Sequence, residues 1–189
     1  MVFSRLLSVL AWSRKGARMR EQSAFESAQA FHLKMDGSLP GHPTELSPDQ
    51  SLFRMVFKLE EMVEYLHASF DSEEDFQAGL EELRASLHLA EQKVMKKGPV
   101  KRDWVGQIDA LVDLLYFTYG TFALMGLDPA PFFQIVHEAN MGKFFPDGKA
   151  HYDPKTHKIL KPANWEKDFA PEGRLKMALE AQCQTSKKD

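Results

Sequence analysis

The 189-residue sequence contains only one cysteine, Cys183, and this excludes an internal disulfide framework and any zinc site built from cysteine pairs. It also lacks long hydrophobic runs, since no stretch approaches the roughly 18 apolar residues of a membrane-spanning helix. The net charge of −3 is too small to favour nucleic acid or a membrane surface as a partner. A reducing, cytoplasmic setting is therefore expected.

Acidic side chains are absent from the first twenty residues, which contain five Arg or Lys and a short apolar run at 6–12. This composition is closer to a mitochondrial transit peptide than to a secretory signal, because the apolar run is short and no clear cleavage site follows it. The simpler interpretation is a disordered N-terminal extension over 1–19 of a cytoplasmic protein, and we adopt it.

Breakers and capping residues divide the rest of the chain into helices. Ser47 and Pro48 are typical of an N-cap and a first helical residue, and Gly126 is typical of a helix end. Helices are predicted over 20–33, 47–70, 71–96, 102–126 and 128–141, with a last one from Pro171. These predict an all-α domain over 20–170 with a small irregular or two-stranded lobe at 150–161, followed by a helix and tail at 171–189.

The helix predicted over 102–126 is almost wholly apolar and contains no Lys or Arg between Trp104 and Leu127. A helix of this composition is normally buried. Asp109 and Asp113 nevertheless lie one turn apart on one side of it. Two buried, ionised carboxylates would be costly without a partner, so a cation is expected beside them.

A second acidic cluster lies on the preceding long helix, where Glu60, Glu61 and Glu64 share one side. Phe53 and Phe57 fall on the same side. A face that is merely solvated does not usually combine acids with two phenylalanines. We therefore expect it to contact a partner helix, a second subunit or a ligand.

Each acidic cluster alone is also explained by a solvated face with locally satisfied carboxylates. Together they favour a divalent metal, because carboxylate oxygens are the ligands of Mg²⁺, the expected ion, and of Mn²⁺. Two such ions can hold both the attacking water and the leaving group in a phosphoryl displacement.

These acids resemble the signature of the all-α nucleoside triphosphate pyrophosphohydrolases, a superfamily that includes MazG, dimeric dUTPases and phosphoribosyl-ATP pyrophosphohydrolase. The signature is ExxE followed after a variable gap by ExxD, and Glu61-x-x-Glu64 matches its first half. In the second half Ala110 stands three residues before Asp113, where Glu is usual, and the nearest acid is Asp109.

Further segments resemble the branch related to phosphoribosyl-ATP pyrophosphohydrolase, and the resemblance covers about residues 20–170. They are Asp-Leu-Leu-Tyr-Phe-Thr-Tyr-Gly-Thr at 113–121, His-Glu-Ala-Asn-Met-Gly-Lys at 137–143, and Lys-Ile-Leu-Lys-Pro at 158–162 with Trp165 after it.

The resemblance implies a MazG-like bundle of four to five helices, usually a homodimer or a dimer of dimers, with metal between the acidic helices. It implies hydrolysis of a nucleotide between the α- and β-phosphates. The expected metal ligands are Glu61, Glu64, Asp109 and Asp113. Glu60 is expected to be a further ligand or the base that orients water, so Glu60 and Glu61 are the candidate catalytic residues.

Substrate-binding residues are expected on the later helices. Asn140 and Lys143 are candidates for binding ribose or phosphate. Tyr116, on the face of Asp109 and Asp113, is a candidate for the nucleoside pocket. Because a carboxylate-rich site repels polyphosphate, lysines must cover the outer oxygens, and Lys161 is one of four in the segment that follows the bundle.

Two alternatives stay open. The first is a helical nucleotide-binding or regulatory dimer without turnover, which the displaced acid at Asp109 favours. The second is an enzyme acting on phosphoribosyl-ATP, although the segment 72–97 and the lysine-rich tail distinguish the chain from the compact members of that group.

Overall fold

A computed structural model of the chain describes residues 22–155 and 158–185. The helices in this part are α1 Ala24–Asp36, α2 Pro48–His67, α3 Glu73–Met95, α4 Trp104–Leu124, α5 Ala130–Met141, α6 Trp165–Asp168 and α7 Glu172–Thr185. The all-α prediction is confirmed. The extension predicted over 1–19 lies outside the described residues.

Side-chain caps start the first three helices. Ser23 and Ser47 each form a capping box, with Glu26 and Gln50 respectively, so the cap predicted at Ser47 is confirmed. Ser72 caps α3 by accepting a hydrogen bond from the backbone of Asp75. These boxes fix where the chain leaves each loop, and they explain why the helix starts were predictable within a few residues.

The segment after α5 differs in part from its prediction. Gly148 adopts a left-handed backbone, with a φ of 78°, in a turn in which its amide donates to the carbonyl of Phe145. In its described part, 150–155 and 158–161, the lobe is irregular apart from one antiparallel bridge that joins Tyr152 to Ile159. The short helix α6 was not predicted, because four residues carry no measurable periodicity.

The chain divides into two compact units, and the boundary falls within α4. The first unit contains 1–39 and 118–189. In its described part α5 packs against α1 and α7. Its buried hydrophobic side chains are Ile135, Ala139, Phe144 and Trp165. The core of this unit therefore lies around the C-terminal half of α5.

The second unit contains residues 40–117, in which α2 packs against α3. Arg102 connects the approaches to α2 and α4, since its Nε lies 2.6 Å from Glu45 Oε2 and its Nη2 donates to the Leu46 carbonyl. No residue of α2, α3 or α4 is buried in this structure. The second unit therefore lacks a core of its own in the isolated chain.

The burial expected for α4 is wrong for a single chain. Val112, Leu115 and Phe117 are 56, 60 and 69% exposed. The prediction relied on the apolar composition of the helix, which does not specify whether the covering surface comes from the same chain. Within the described residues, no helix is long and apolar enough to cross a membrane.

Candidate functional site

The three glutamates of α2 project from its second half, in the second unit. Glu60, Glu61 and Glu64 are all solvent-exposed, and their i, i+1, i+4 spacing places them along one side of the helix. Phe53 and Phe57 form an edge-to-face pair one and two turns earlier, with ring centroids 4.8 Å apart. The acidic side therefore continues into an aromatic surface, as the sequence predicted.

α2 also contains two basic residues, Arg54 and Lys58, which the sequence did not single out as part of the site. The Lys58 ammonium donates to the carbonyl of Arg54 at 3.1 Å, and the Arg54 guanidinium lies 5.7 Å from the Phe57 ring centroid. Partial burial, and then the neighbouring Arg54 charge, lower the pKa of Lys58. Both cations thus contact groups within residues 54–58 of α2. In the described part of the chain, none of the three glutamates forms an ion pair.

On α4, Asp109 and Asp113 are separated by one turn and are solvent-exposed. Tyr116 lies on the same side of the helix, because it follows Asp113 by three residues. Its side chain is 74% exposed. Among residues 22–155 and 158–185, none of the five carboxylates has a side-chain hydrogen bond or an ion pair. Their oxygens are therefore open to a ligand.

The donor chemistry of these acids suits a hard divalent cation, but one chain does not gather them. No group of three or more His, Cys, Asp or Glu residues in the described part is close enough to hold a metal ion. Glu61 with Glu64, and Asp109 with Asp113, remain two separate pairs, each one helical turn in length. A complete metal site thus needs something that the isolated chain does not supply.

A basic cluster lies where α5 ends, in the first unit. The Lys143 ammonium donates to Asn140 Oδ1 at 2.8 Å. The Lys161 ammonium lies 3.6 Å from the Trp165 ring centroid, and the indole N–H donates to the carbonyl of Ala139 at 2.8 Å. Asn140 and Lys143 therefore contact each other at the end of α5, and Lys161 is connected to the same helix end through Trp165.

Lys34 and Trp165 belong to the same neighbourhood and were not identified from the sequence as site residues. The Lys34 ammonium lies 4.4 Å from the centroid of the Phe144 ring, which is itself buried. The residues around Lys34, in the last turn of α1, do not predict this contact. The sequence does indicate Trp165, because it follows the Lys-Ile-Leu-Lys-Pro segment that resembles the family, but it does not predict the indole hydrogen bond.

Glu138 anchors this helix end to α7. Its carboxylate accepts hydrogen bonds from Gln134 Nε2 at 2.9 Å and from Arg174 Nη2 at 2.5 Å. The Gln134 hydrogen bond and then the Arg174 contact lower the pKa of the Glu138 carboxyl below its ordinary value of 4.5. The residue before Ala139 is thereby fixed by another helix.

An open concavity of about 640 Å³ lies in the second unit, between the end of α3 and the start of α4. Lys97, Lys101 and Arg102 line it, but none of the five acids does. Arg102 is already paired with Glu45. We interpret the concavity as the inside of a loop, because its lining is the continuous segment between α3 and α4 and includes none of the predicted site residues.

The model of the phosphoribosyl-ATP pyrophosphohydrolase family matches residues 28–140. This range is more than half of the chain and includes both acid pairs and Asn140. The chain belongs to the phosphoribosyl-ATP pyrophosphohydrolase family. Membership confirms the predicted superfamily, and it leaves Lys143, Lys161 and Trp165 outside the matched segment.

A solved structure gives an independent comparison. The chain is similar to a protein from Exiguobacterium sp. 255-15 that is described as a candidate NTP pyrophosphohydrolase, with a TM-score of 0.78 and 33% sequence identity. The alignment covers 88% of this chain and 99% of the Exiguobacterium chain. No curated protein matches this sequence significantly. The family and the shared fold together indicate a pyrophosphohydrolase.

Proposed function

We propose that this family member is a metal-dependent nucleotide pyrophosphohydrolase that cleaves between the α- and β-phosphates of a nucleoside triphosphate or a related nucleotide. Monophosphate and pyrophosphate are the products. The observation that carries the proposal is the pair of one-turn carboxylate spacings, Glu61 with Glu64 and Asp109 with Asp113, within the family-matched segment and free of ion pairs.

Mg²⁺ is the proposed metal, and Mn²⁺ is its chemical alternative. Glu61, Glu64, Asp109 and Asp113 would hold it, because all four present unpaired carboxylate oxygens. When bound, the metal would neutralise phosphate charge and lower the pKa of coordinated water. Glu60 adjoins the ligands on the same side of α2, so it would accept the proton of the attacking water or join the ligand set.

A homodimer is part of the proposal, because one chain leaves both a site and a core incomplete. None of the residues of α2, α3 and α4 is buried, and a helical unit with no core is not expected to be stable by itself. Val112, Leu115 and Phe117 of α4 are each more than half exposed, and neighbouring exposed apolar side chains are typical of an interaction surface. A second copy, alone or in a dimer of dimers, would cover it and bring the carboxylate pairs into a drier environment.

Each of the two units offers candidate nucleotide contacts of its own. Tyr116 offers an exposed aromatic ring beside the carboxylates of α4, which suits a base or ribose. Lys143, Lys161 and the Asn140 amide offer donors for phosphate oxygens.

A second candidate is a nucleotide-binding or regulatory dimer without turnover. Ala110 favours it, because the family pattern usually carries a metal-binding Glu at that position. With the fourth acid moved to Asp109, nucleotide would bind while the metal set stayed incomplete. This candidate predicts binding without release of pyrophosphate.

The test is pyrophosphate release from a panel of ribo-, deoxyribo- and modified nucleoside triphosphates together with phosphoribosyl-ATP. Each substrate is assayed with Mg²⁺, with Mn²⁺ and with chelator. The proposal predicts release from a subset of the panel, only when metal is present. Silence across the panel from a folded protein that still binds nucleotide would support the second candidate.

Acid variants assign the activity to the proposed residues. Glu64→Gln and Asp113→Asn keep the size of each side chain and are expected to lower kcat/KM by about a hundredfold or more, as loss of a metal ligand does. Glu74→Gln, in the exposed first turn of α3, removes the same charge and is expected to leave turnover unchanged. Equal activity in all three variants would contradict the assignment.

A further inference from the structure

Trp165 lies between the end of α5 and the Lys161 ammonium. Its ring is 5% exposed, and its indole N–H donates to the carbonyl of Ala139. Its face is covered by Lys161 Nζ at 3.6 Å from the ring centroid. The buried Trp165 side chain thus fixes the Lys161 ammonium relative to the end of α5, which lies well before both residues in the sequence.

The neighbouring groups at the end of α5, and just after it, suit an anion. Asn140 follows the carbonyl that Trp165 binds, and its Oδ1 accepts a hydrogen bond from the Lys143 ammonium. An amide whose oxygen is engaged by a lysine directs its NH₂ donors elsewhere. Two ammonium groups and an amide NH₂ are all hydrogen-bond donors, and two of them are charged, so this set suits the oxygens of a phosphate and not a metal ion.

The segment that contains Lys161, Trp165 and Phe169 packs closely against the end of α5. A Cβ added to Gly142 would lie 2.3 Å from the Phe169 ring, which shows how close the two segments are. Arg174 binds Glu138 one turn before Gly142. Because three contacts fix this segment, the position of Lys161 is defined before any ligand arrives, and less ordering of its side chain is required on binding.

We propose that Trp165 is a positioning residue that holds the Lys161 ammonium near the end of α5, where Asn140 and Lys143 lie, and that these three groups bind pyrophosphate. The inference rests on the proposed function in one respect, since that reaction makes pyrophosphate the leaving group. The alternative is a structural role, in which Trp165 fills the core and Lys161 merely balances the negative end of the α5 dipole.

The experiment measures the affinity for inorganic pyrophosphate in the presence of Mg²⁺, by isothermal titration calorimetry, together with the free energy of unfolding. Lys161→Met keeps the stem and removes the charge, and it is expected to weaken binding about tenfold. Trp165→Phe keeps a weaker face and loses the N–H, and it is expected to weaken binding about threefold or more. Lys167→Met, on α6, is the matched control and is expected to bind like the wild type.

The double variant distinguishes positioning from structure. If Trp165 acts through Lys161, Trp165→Phe has no further effect on affinity once Lys161 is methionine. Lys161→Arg, which keeps the charge and can stack on the indole, is expected to stay within about threefold of the wild type. Equal effects of Trp165→Phe in both backgrounds, or a loss of stability with unchanged affinity, would overturn the proposal. Should Trp165→Phe fail to fold, wild-type affinity in Lys161→Met would overturn it by itself.

Binding of pyrophosphate does not require turnover, so the two proposals fail separately. A protein that hydrolyses no member of the panel but loses pyrophosphate affinity in Lys161→Met would refute the proposed reaction and support this site. An active hydrolase whose pyrophosphate affinity is unchanged in both single variants would refute this site alone.

Discussion

Gln182 forms two hydrogen bonds with the backbone of Asp128. Its Oε1 accepts from the Asp128 amide at 2.9 Å, and its Nε2 donates to the Asp128 carbonyl at 3.0 Å. The side chain of α7 thus imitates a neighbouring strand and satisfies both polar groups of one residue in the loop before α5. With the Arg174–Glu138 contact, it fixes α7 to the start and the end of α5.

Removing this amide should loosen the loop between α4 and α5. Gln182→Ala leaves two backbone groups without their partner and is expected to lower the free energy of unfolding by about 1–2 kcal/mol. Urea denaturation followed by circular dichroism measures the change. Gln184→Ala, two residues later on the exposed side of α7, is the control. Equal stability of the two variants would show that water replaces the Gln182 hydrogen bonds without cost.

The contact of Gly142 with Phe169 leaves no room for a methyl group. Gly142 has a φ of −66°, so an alanine there would not be strained in its backbone, and the whole effect would come from the ring. Gly142→Ala is expected to destabilise the protein by about 1–3 kcal/mol through overpacking.

Gly173→Ala is the control for Gly142→Ala, because an added Cβ meets nothing within 4 Å at this helical position. Thermal denaturation should show a lower midpoint for Gly142→Ala and an unchanged or higher one for Gly173→Ala. A stable Gly142→Ala variant would mean that the Phe169 ring moves away freely.

The helices could be predicted from the sequence because capping residues mark their ends. Ser47 with Pro48 specified the start of α2, and Gly126, whose φ is 70°, followed the end of α4. Burial was not readable in the same way. The apolar residues of α4 predicted a covered helix, but whether the cover comes from the same chain depends on tertiary and quaternary contacts.

The candidate site was predictable to the same degree. The spacing of Glu61 with Glu64, and of Asp109 with Asp113, follows from helical geometry alone. The contact of Lys161 with Trp165 depends on how an irregular segment returns to α5, and no periodicity encodes that path. Lys34 is a stronger example, because its aromatic partner Phe144 lies more than a hundred residues away in the sequence.

The Glu138 network predicts a dependence of stability on acid. Since the folded state lowers the pKa of Glu138 below 4.5, its stabilising contribution is complete above that pH. The contribution is lost as the pH falls through the lowered folded-state value. Because the side chains of Glu138 and Arg174 are both about two-fifths exposed, solvent screening limits the effect to about 1 kcal/mol or less.

Glu138→Gln tests this pH dependence by removing the titrating group at nearly constant size. The wild type should be the more stable protein at pH 7, and the difference should shrink as the pH is lowered from 5 towards 3. Unfolding free energies at a series of pH values measure it. A difference that stays constant across that range would contradict the assigned role of the Glu138 charge.

The homodimer proposal makes the apolar side of α4 the decisive surface. Leu115→Glu places a charge on a side chain that is 60% exposed in the single chain and would be buried by a second copy. Analytical ultracentrifugation should show the wild type as a dimer or tetramer and the variant as a smaller species. Gln184→Glu adds the same charge on α7 and should leave the molecular mass of the oligomer unchanged. A monomeric wild type would contradict the proposal.

The central claim is metal-dependent cleavage between the α- and β-phosphates, and the products of a single reaction test it most directly. The best substrate of the panel is incubated with Mg²⁺, and the products are identified by anion-exchange chromatography. The account predicts nucleoside monophosphate and pyrophosphate in equal amounts, and neither product when chelator is present. Release of orthophosphate with a nucleoside diphosphate, or turnover that chelator does not reduce, would contradict it.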